Sequence, residues 1–377
     1  FAKNVENFTA TTNNGSELAV EKINKNTWRI NSHKVDRIKI NYRVYAFELT
    51  VRTSFVDASQ AFLSPTGIFM YPDGSIKQPS TVTINMAKGW SKISTGLENV
   101  RGKANTFYAP DFDILYDSPI EVGNQDVFEF TAAGVKHEVA MAGAGNYDKE
   151  RLKKDMATVV EQETRIFGVN PNKRYVFIVN NSSAGGGGLE HLNSTVLGAN
   201  RFGYTNESTY KNFLGLVAHE YFHLWNVTRL LPIALGPFNY DVENYTPNLW
   251  IAEGFTAYYD NLVIRRANFY SPEKYLDVLA GSIGTVENQP GNRVQPVSEA
   301  SYDAWIKAYR PNENSNNSTI SYYDKGSLVA LVMDLEIINA TNGQKGLDDV
   351  MKAMYDEYYT RLRRGYTDAE FKAMVEK

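Results

Sequence analysis

The 377-residue chain contains no cysteine. Without thiols it can form neither a disulfide framework nor a thiolate metal site, so a bound metal has to use His, Asp or Glu side chains. The chain also lacks a strong excess of charge, since 39 Lys and Arg against 43 Asp and Glu leave a net charge of −4. With no basic run, no nucleic-acid partner is predicted. No stretch approaches the roughly 18 uninterrupted apolar residues of a membrane span, so no transmembrane segment is predicted.

Histidine is scarce as well, and two of the five histidines stand four residues apart in the apolar run 210–226. On a helix, residues i and i+4 share a face, so His219 and His223 can direct their imidazoles at one point. Glu220 is rotated by about 100° from His219 and is better placed to reach a metal-held water than to ligate the metal. The spacing predicts a metal site on a helix. The alternative is two helix-face histidines beside an ordinary surface glutamate.

The residues around this motif favour the metal site. Most positions of the run are apolar, which predicts a buried helix; these are Phe213, Leu216, Val217, Phe222, Leu224 and Trp225. Two histidines and a carboxylate in such a helix cost several kcal/mol unless they are paired or bound to a metal.

A third ligand is predicted at Glu253, the one acid in the otherwise apolar start of a second helix, 249–260. A catalytic zinc with an open position takes three protein ligands, and two histidines with a glutamate from another helix complete such a set. The alternative is a helix-start acid that complements the helix dipole.

A run of four glycines, 185–188, precedes Glu190 and follows a predicted buried strand at 174–179. Glycine allows a close approach of the backbone to another group, which favours a functional role for Glu190 over a merely flexible turn.

The periodicity divides the chain into two domains. The run 35–45 alternates with a period of two, with Ile38, Ile40, Tyr42 and Val44 on one face, and residues 1–135 as a whole predict an all-β domain in which His33 lies in a strand or turn. Asp148 begins a predicted helix that ends at Gly168, and from Ser271 onward the chain is predicted to be mainly helical. The predicted fold class is α+β and multidomain, with a second domain at 136–377 that is α/β to about 270 and a helical lobe at 271–377.

Four separated motifs together resemble one family. His219-Glu-Tyr-Phe-His-Leu-Trp225 and Leu249-Trp-Ile-Ala-Glu-Gly-Phe255 resemble the gluzincin pattern of zinc peptidases. Gly187-Gly-Leu-Glu-His191 and Tyr323-Asp-Lys-Gly326 are similar to two motifs of the aminopeptidase N and leukotriene hydrolase group. Within that clan, the chain looks like the glycyl aminopeptidase family, in which a C-terminal PDZ domain usually follows the peptidase domain. No PDZ-like segment is recognised in these 377 residues.

The resemblance implies a thermolysin-like zinc metallopeptidase domain with one Zn²⁺ per chain, held by His219, His223 and Glu253. It implies that Glu220 is the catalytic base and that Tyr323, otherwise simply a core tyrosine, donates a hydrogen bond to the oxyanion. Glu190, with the backbone at Gly187 and Gly188, is then expected to bind the free amino terminus of a peptide.

The function implied is that of an aminopeptidase that prefers small residues such as Gly or Ala. The alternatives are a zinc endopeptidase of the same fold and a non-catalytic peptide-binding relative. The family resemblance and the absence of an initiator Met favour an extracytoplasmic bacterial location, with a cytoplasmic one remaining open.

Overall fold

The computed structural model describes residues 2–32 and 34–377, so His33 lies outside the described residues. The chain divides into two compact units, Phe1–Asp126 and Val127–Lys377. The expected α+β, multidomain fold class is confirmed: a β-rich N-terminal unit precedes a unit that combines a sheet with many helices.

The regular elements of the first unit are nearly all short strands. Its described elements are β1 Val5–Thr12, β2 Glu17–Leu18, β3 Val20–Asn24, β4 Thr27–Ile30, β5 Ile38–Val44, β6 Phe55–Val56, β7 Gln60–Leu63, β8 Ser80–Thr83, β9 Lys92–Thr95, β10 Glu98–Asn99, β11 Thr106–Ala109, α1 Phe112–Tyr116 and β12 Ile120–Gly123. They pair in the orders β2-β1-β5, β10-β11-β8, β6-β7-β12-β9 and β3-β4. The alternating run predicted from the sequence forms β5.

The second unit begins with the strands β13 Asp126–Ala132 and β14 Val135–Ala142. They join β15 Arg174–Ser182, β16 Gly188–Glu190 and β17 Ser194–Asn200 in a sheet of order β13-β14-β15-β17-β16. β14, β15 and β17 run parallel, and β16 is antiparallel to β17. Because β13 belongs to this sheet, the units divide at 126/127, whereas the sequence placed the division at 135/136.

Helices make up most of the second unit. They are α2 Lys149–Phe167, α3 Glu207–Phe222, α4 Leu249–Ala252, α5 Gly254–Arg266, α6 Pro272–Asn288, α7 Val297–Tyr302, α8 Ser315–Ser318, α9 Tyr322–Ala340, α10 Leu347–Met354 with a π-helical continuation Tyr355–Leu362, and α11 Asp368–Val375. The predicted bounds of α2 are confirmed, because Asp148 caps its first turn by accepting from the Arg151 amide and Gly168 ends it in the left-handed conformation.

The core of the second unit lies between its sheet and the helices α2, α3 and α5. The strand β15 contributes Tyr175, Phe177 and Val179, all fully buried, and the helix α3 packs against them through buried residues such as Val217 and Tyr221. Within the two described ranges, no helix combines the length and the apolar character needed to cross a membrane.

Two predicted helices differ in detail. α3 ends at Phe222 rather than at 226, because the carbonyls of His223 and Leu224 accept hydrogen bonds from the Thr228 hydroxyl at 2.8 and 3.0 Å instead of from a further helical turn. The helix α9 is less buried than its apolar sequence suggests, since Val332, Leu335 and Ile338 are exposed.

Candidate metal centre

The two histidines of α3 and Glu253 converge on one point. The Nε2 atoms of His219 and His223 lie 3.3 and 3.2 Å from the same Oε2 atom of Glu253. His223 is still in right-handed helical conformation at the C-cap of α3, so the i, i+4 alignment is kept. All three side chains are buried or nearly so, with exposures of 13, 1 and 17%.

Glu253 does not lie within a helix, as the sequence predicted, but at the junction of α4 and α5. The side-chain amide of Asn226 causes the break by donating to the carbonyl groups of Ile251 and Ala252, both at 3.0 Å. Carbonyl groups held in this way no longer accept from the following helical turn. The junction turns Glu253 toward the histidines.

Each histidine is oriented by a partner at its other ring nitrogen. His219 Nδ1 lies 3.1 Å from Asp260 Oδ2, and His223 Nδ1 lies 2.8 Å from the Asn226 carbonyl oxygen. A carbonyl oxygen can only accept, so Nδ1 of His223 carries the hydrogen and its Nε2 is left as the ligand atom. Such partners at the second nitrogen are typical of metal-binding histidines. Two imidazoles and one carboxylate, oriented in this way, fit a catalytic zinc.

The carboxylates around the imidazoles favour positive charge at this point. Burial alone would lower the pKa of His223, yet the facing carboxylates of Glu190 and Glu253 raise its pKa to about 9. Burial would also lower the pKa of His219, but the hydrogen bonds that its ring donates to the Asp260 and Glu253 carboxylates outweigh burial and raise that pKa well above its ordinary value. Protons or a divalent cation can supply that charge, and the two compete for the same nitrogen atoms.

Glu220 lies beside this triangle. Its carboxylate is 4% exposed, and Oε2 has no hydrogen-bond partner among the described residues. Burial raises the pKa of Glu220 to about 7, with the two histidines opposing the shift. A carboxyl group with a pKa near neutrality is suited to accept and return a proton.

The glycine run brings β16 against Glu220. Gly185, Gly186 and Gly187 all have positive φ, and Gly186 and Gly187 exchange backbone hydrogen bonds of 2.8 Å with Gly198 of β17. A Cβ atom at Gly188 would overlap the Glu220 carboxylate. The close backbone approach predicted from the glycine run is therefore that of Gly188 to Glu220, while the space beside Gly187 is open.

Glu190 lies on the Glu220 side of the triangle. It is paired with Thr195 at the end of β16, and one of its carboxylate oxygens lies within 4.8 Å of ligand atoms of Glu220 and His223. Three acids, Glu190, Glu220 and Glu253, thus surround the two imidazoles.

Tyr323 lies beside His219, near the start of α9. Its ring centroid is 6.0 Å from that of His219, and it stacks on Tyr322 at 4.8 Å. Burial and the Glu253 carboxylate raise the pKa of Tyr323, so its hydroxyl group keeps its proton and remains a donor.

Two glycines allow Tyr323 to come this close. An added Cβ at Gly254 of α5 would lie 2.6 Å from Gly326 Cα of α9, so the helices touch backbone to backbone. The glycine in each of the motifs Glu253-Gly254 and Tyr323-Asp-Lys-Gly326 is thereby explained.

The structure adds two residues that the sequence prediction missed. Asp260 and Asn226 touch His219 and His223 at their second nitrogen atoms. Asp260 stands seven residues after Glu253, two helical turns on the same face, and that spacing is the signal that could have identified it. Asn226 carries no comparable signal, because its role depends on contacts with the remote residues 251 and 252.

The comparisons with known proteins bear on both units. The Peptidase M61 N-terminal domain family matches residues 1–124, and the M61 glycyl aminopeptidase family matches residues 212–329, which include the three converging residues. The search of curated proteins found no match.

Among solved structures, the chain is similar to an aminopeptidase N family protein from Idiomarina loihiensis, with 32% identity and a TM-score of 0.93. The match covers 98% of this chain, which spans only 64% of the length of that relative.

Two structures of an M1 zinc metallopeptidase from Deinococcus radiodurans are also similar, both with TM-scores of 0.58. They share 13 and 14% identity with this chain, and each match covers 99% of this chain and 80% of the other. One is a variant with a Tyr-Ser-Ala substrate bound. At this identity the likeness shows the fold alone.

Proposed function

Because the chain belongs to the M61 glycyl aminopeptidase family, we propose that it is a zinc-dependent aminopeptidase that hydrolyses the first peptide bond of peptides with a free amino terminus. The observation that carries the proposal is the convergence of His219 Nε2, His223 Nε2 and Glu253 Oε2, with both Nδ1 atoms engaged elsewhere. A zinc ion bound there would activate a water molecule and polarise the carbonyl of the scissile bond.

Glu220 serves as the base. Its Oε2 atom is buried, free of hydrogen bonds to the described residues and adjacent to His223, so it can take a proton from the attacking water and pass it to the leaving amine. Tyr323, beside His219, donates its hydroxyl hydrogen to the oxygen that gains negative charge.

Glu190 gives the site its preference for a peptide end. A carboxylate on the Glu220 side of the triangle pairs with the α-ammonium group of the substrate and holds the first carbonyl at the metal. A blocked amino terminus carries no charge for Glu190 to bind. The family supports a further preference for small first residues such as Gly or Ala.

The test compares free and N-acetylated peptides that begin with Gly, Ala or Leu, with and without a chelator. We expect release of the first residue from the free peptides only, with loss of activity in chelator and recovery on addition of Zn²⁺. Glu220→Gln should bind zinc at one equivalent yet lose turnover. Cleavage of the acetylated peptides at a similar rate would contradict the aminopeptidase and favour an endopeptidase. Binding without hydrolysis would favour a non-catalytic relative.

A further inference from the structure

Four aromatic side chains form an exposed surface on the second unit, here called the aromatic shelf: Tyr245, Tyr302, Trp305 and Tyr309. They are 39, 51, 47 and 49% exposed. The rings of Tyr245 and Tyr302 lie 5.2 Å apart, and those of Trp305 and Tyr309 lie 6.3 Å apart. Grouped, half-exposed aromatic rings are typical of surfaces that bind a partner.

Contacts with neighbouring residues hold the aromatic shelf in place. The Trp305 indole N–H donates to the Asn244 carbonyl oxygen at 3.1 Å, which holds the loop carrying Tyr245 against the 302–309 segment. Lys307 bridges Glu299 and Asp303, both at 2.8 Å, on the same segment. Ala304, next to Trp305, is buried in a small core that also contains Tyr322. These contacts fix the rings in the absence of a ligand and reduce the entropy lost on binding.

The shelf is continuous with the metal centre. Tyr322 is in hydrogen-bonding contact with Tyr309 of the shelf and with Tyr323. Tyr323 in turn lies beside His219. A series of contacts therefore links Glu190 to His223, His223 to His219, His219 to Tyr323, and Tyr323 through Tyr322 to the shelf.

With the amino terminus bound at Glu190, as proposed above, a substrate that follows these contacts extends past Tyr323 toward Tyr309 after the scissile bond. We propose that the aromatic shelf binds the residues on the carboxyl side of the scissile bond and favours aromatic or large apolar side chains there. The inference rests on the proposed function and extends it to the second part of the substrate.

The test uses three peptides with the same scissile bond, Ala-Gly, Ala-Gly-Gly-Gly and Ala-Gly-Phe-Phe, and measures the alanine released. For the native chain we expect kcat/KM on Ala-Gly-Phe-Phe to exceed that on Ala-Gly-Gly-Gly by about 5- to 30-fold, mainly through KM, as one or two aromatic contacts imply. The double variant Tyr302→Ala, Trp305→Ala should reduce this ratio to within about twofold of one.

The matched control is Phe202→Ala, which removes a 70% exposed aromatic ring elsewhere on the second unit and should leave the ratio as it is in the native chain. Thermal unfolding of each variant establishes that it is folded. A second measurement avoids turnover: in the Glu220→Gln background, the affinity for labelled Ala-Gly-Phe-Phe should fall at least fivefold in the double variant.

The outcomes separate the two proposals. Alanine release with equal kcat/KM on both tetrapeptides, or a ratio that survives the double substitution, would contradict the shelf and leave the aminopeptidase standing. Failure to release alanine from any of the three peptides would overturn the proposed function and, with it, the assignment of the shelf.

Discussion

At the scale of single residues, Gly188 and Glu220 depend on each other. The backbone of Gly188 occupies the space in which any side chain would meet the Glu220 carboxylate. A glutamate end can swing away at little cost in stability, but in doing so it leaves the position from which it reaches the substrate. Under the proposed role of Glu220 as the base, glycine at 188 is required for activity rather than for the backbone conformation, unlike Gly187, whose φ is 78°.

Gly188→Ala is expected to retain one equivalent of zinc and a nearly native unfolding temperature, while kcat falls at least about tenfold because the base is displaced. The matched control is Gly215→Ala in α3, where an added Cβ meets nothing within 4 Å. It should keep its activity and gain about 0.5–1 kcal/mol in helix stability. Metal analysis measures the zinc content of the two variants, and steady-state kinetics measures their kcat. A fully active Gly188→Ala enzyme would show that Glu220 is not the base or that it works from another position.

The residues of the triangle could be named from the sequence, whereas their supports could not. His219 and His223 are related by a spacing that a helix translates directly into proximity. Glu253 is an acid in an apolar segment, which is informative because an unpaired buried charge is costly. Asn226 looks like any polar residue after a helix, and only the folded chain shows that its amide reaches residues 251 and 252.

At the scale of elements, the contact between α5 and α9 decides where Tyr323 lies. The two helices meet at Gly254 and Gly326, and an added Cβ at Gly326 would lie 2.7 Å from the Trp250 carbonyl oxygen and 2.9 Å from Gly254 Cα. These are backbone atoms, which cannot move aside without moving a helix.

Gly326→Ala is therefore expected to lower the free energy of unfolding by about 1–3 kcal/mol and to lower kcat, because α9 carries Tyr323 away from the metal centre. Urea unfolding at fixed zinc concentration measures the first effect. Gly284→Ala in α6 serves as the control, since its Cβ would meet only the side-chain nitrogen of Asn288, at 3.9 Å. Equal stability of both variants would mean that the helices can separate at no cost.

The element boundaries show which helix ends can be predicted from local sequence and which cannot. The bounds of α2 follow from a capping aspartate and a terminal glycine, both local signals. The end of α3 and the break between α4 and α5 are set by the side chains of Thr228 and Asn226, which lie outside the helices and bind carbonyl groups at the helix ends. The exposed apolar face of α9 could not be read from the sequence either, because an apolar composition favours burial of a helix without showing whether a neighbour covers it.

At the scale of the whole molecule, one buried acid links stability to pH. Glu163 of α2 is fully buried, and neither of its carboxylate oxygens has a hydrogen-bond partner in the described part of the chain. Burial raises the pKa of Glu163 well above its ordinary value of 4.5, and the negative charge of Asp260 adds to the shift. The folded protein thus keeps this carboxyl group protonated where the unfolded chain releases the proton.

The sign follows from that difference. The contribution of Glu163 to stability is complete below its unfolded pKa of about 4.5 and is lost as the pH rises toward its folded value. The side chain of the Glu163→Gln variant cannot ionise. The difference between its free energy of unfolding and that of the native chain should therefore grow in favour of the variant by up to about 1.4 kcal/mol per pH unit above pH 4.5.

Urea unfolding at a series of pH values checks this slope. Glu150→Gln, which changes an 81% exposed acid on the same helix, is the matched control and should run parallel to the native chain. A parallel curve for Glu163→Gln as well would mean that Glu163 is ionised inside the fold.

The position of Asn226 also bears on how this site can diversify. Its carbonyl oxygen accepts from His223, and its side-chain amide donates to the carbonyl groups just before Glu253. Asn226 therefore contacts both ends of the 29-residue segment that separates His223 from Glu253. The middle of that segment, which carries the shelf residue Tyr245, lies at the surface. If the proposed metal site and aromatic shelf are correct, insertions or deletions there would change the surface that meets the far end of a peptide while the distance between the ligands stays the same. Peptide specificity and metal geometry could then change independently along a single stretch of chain.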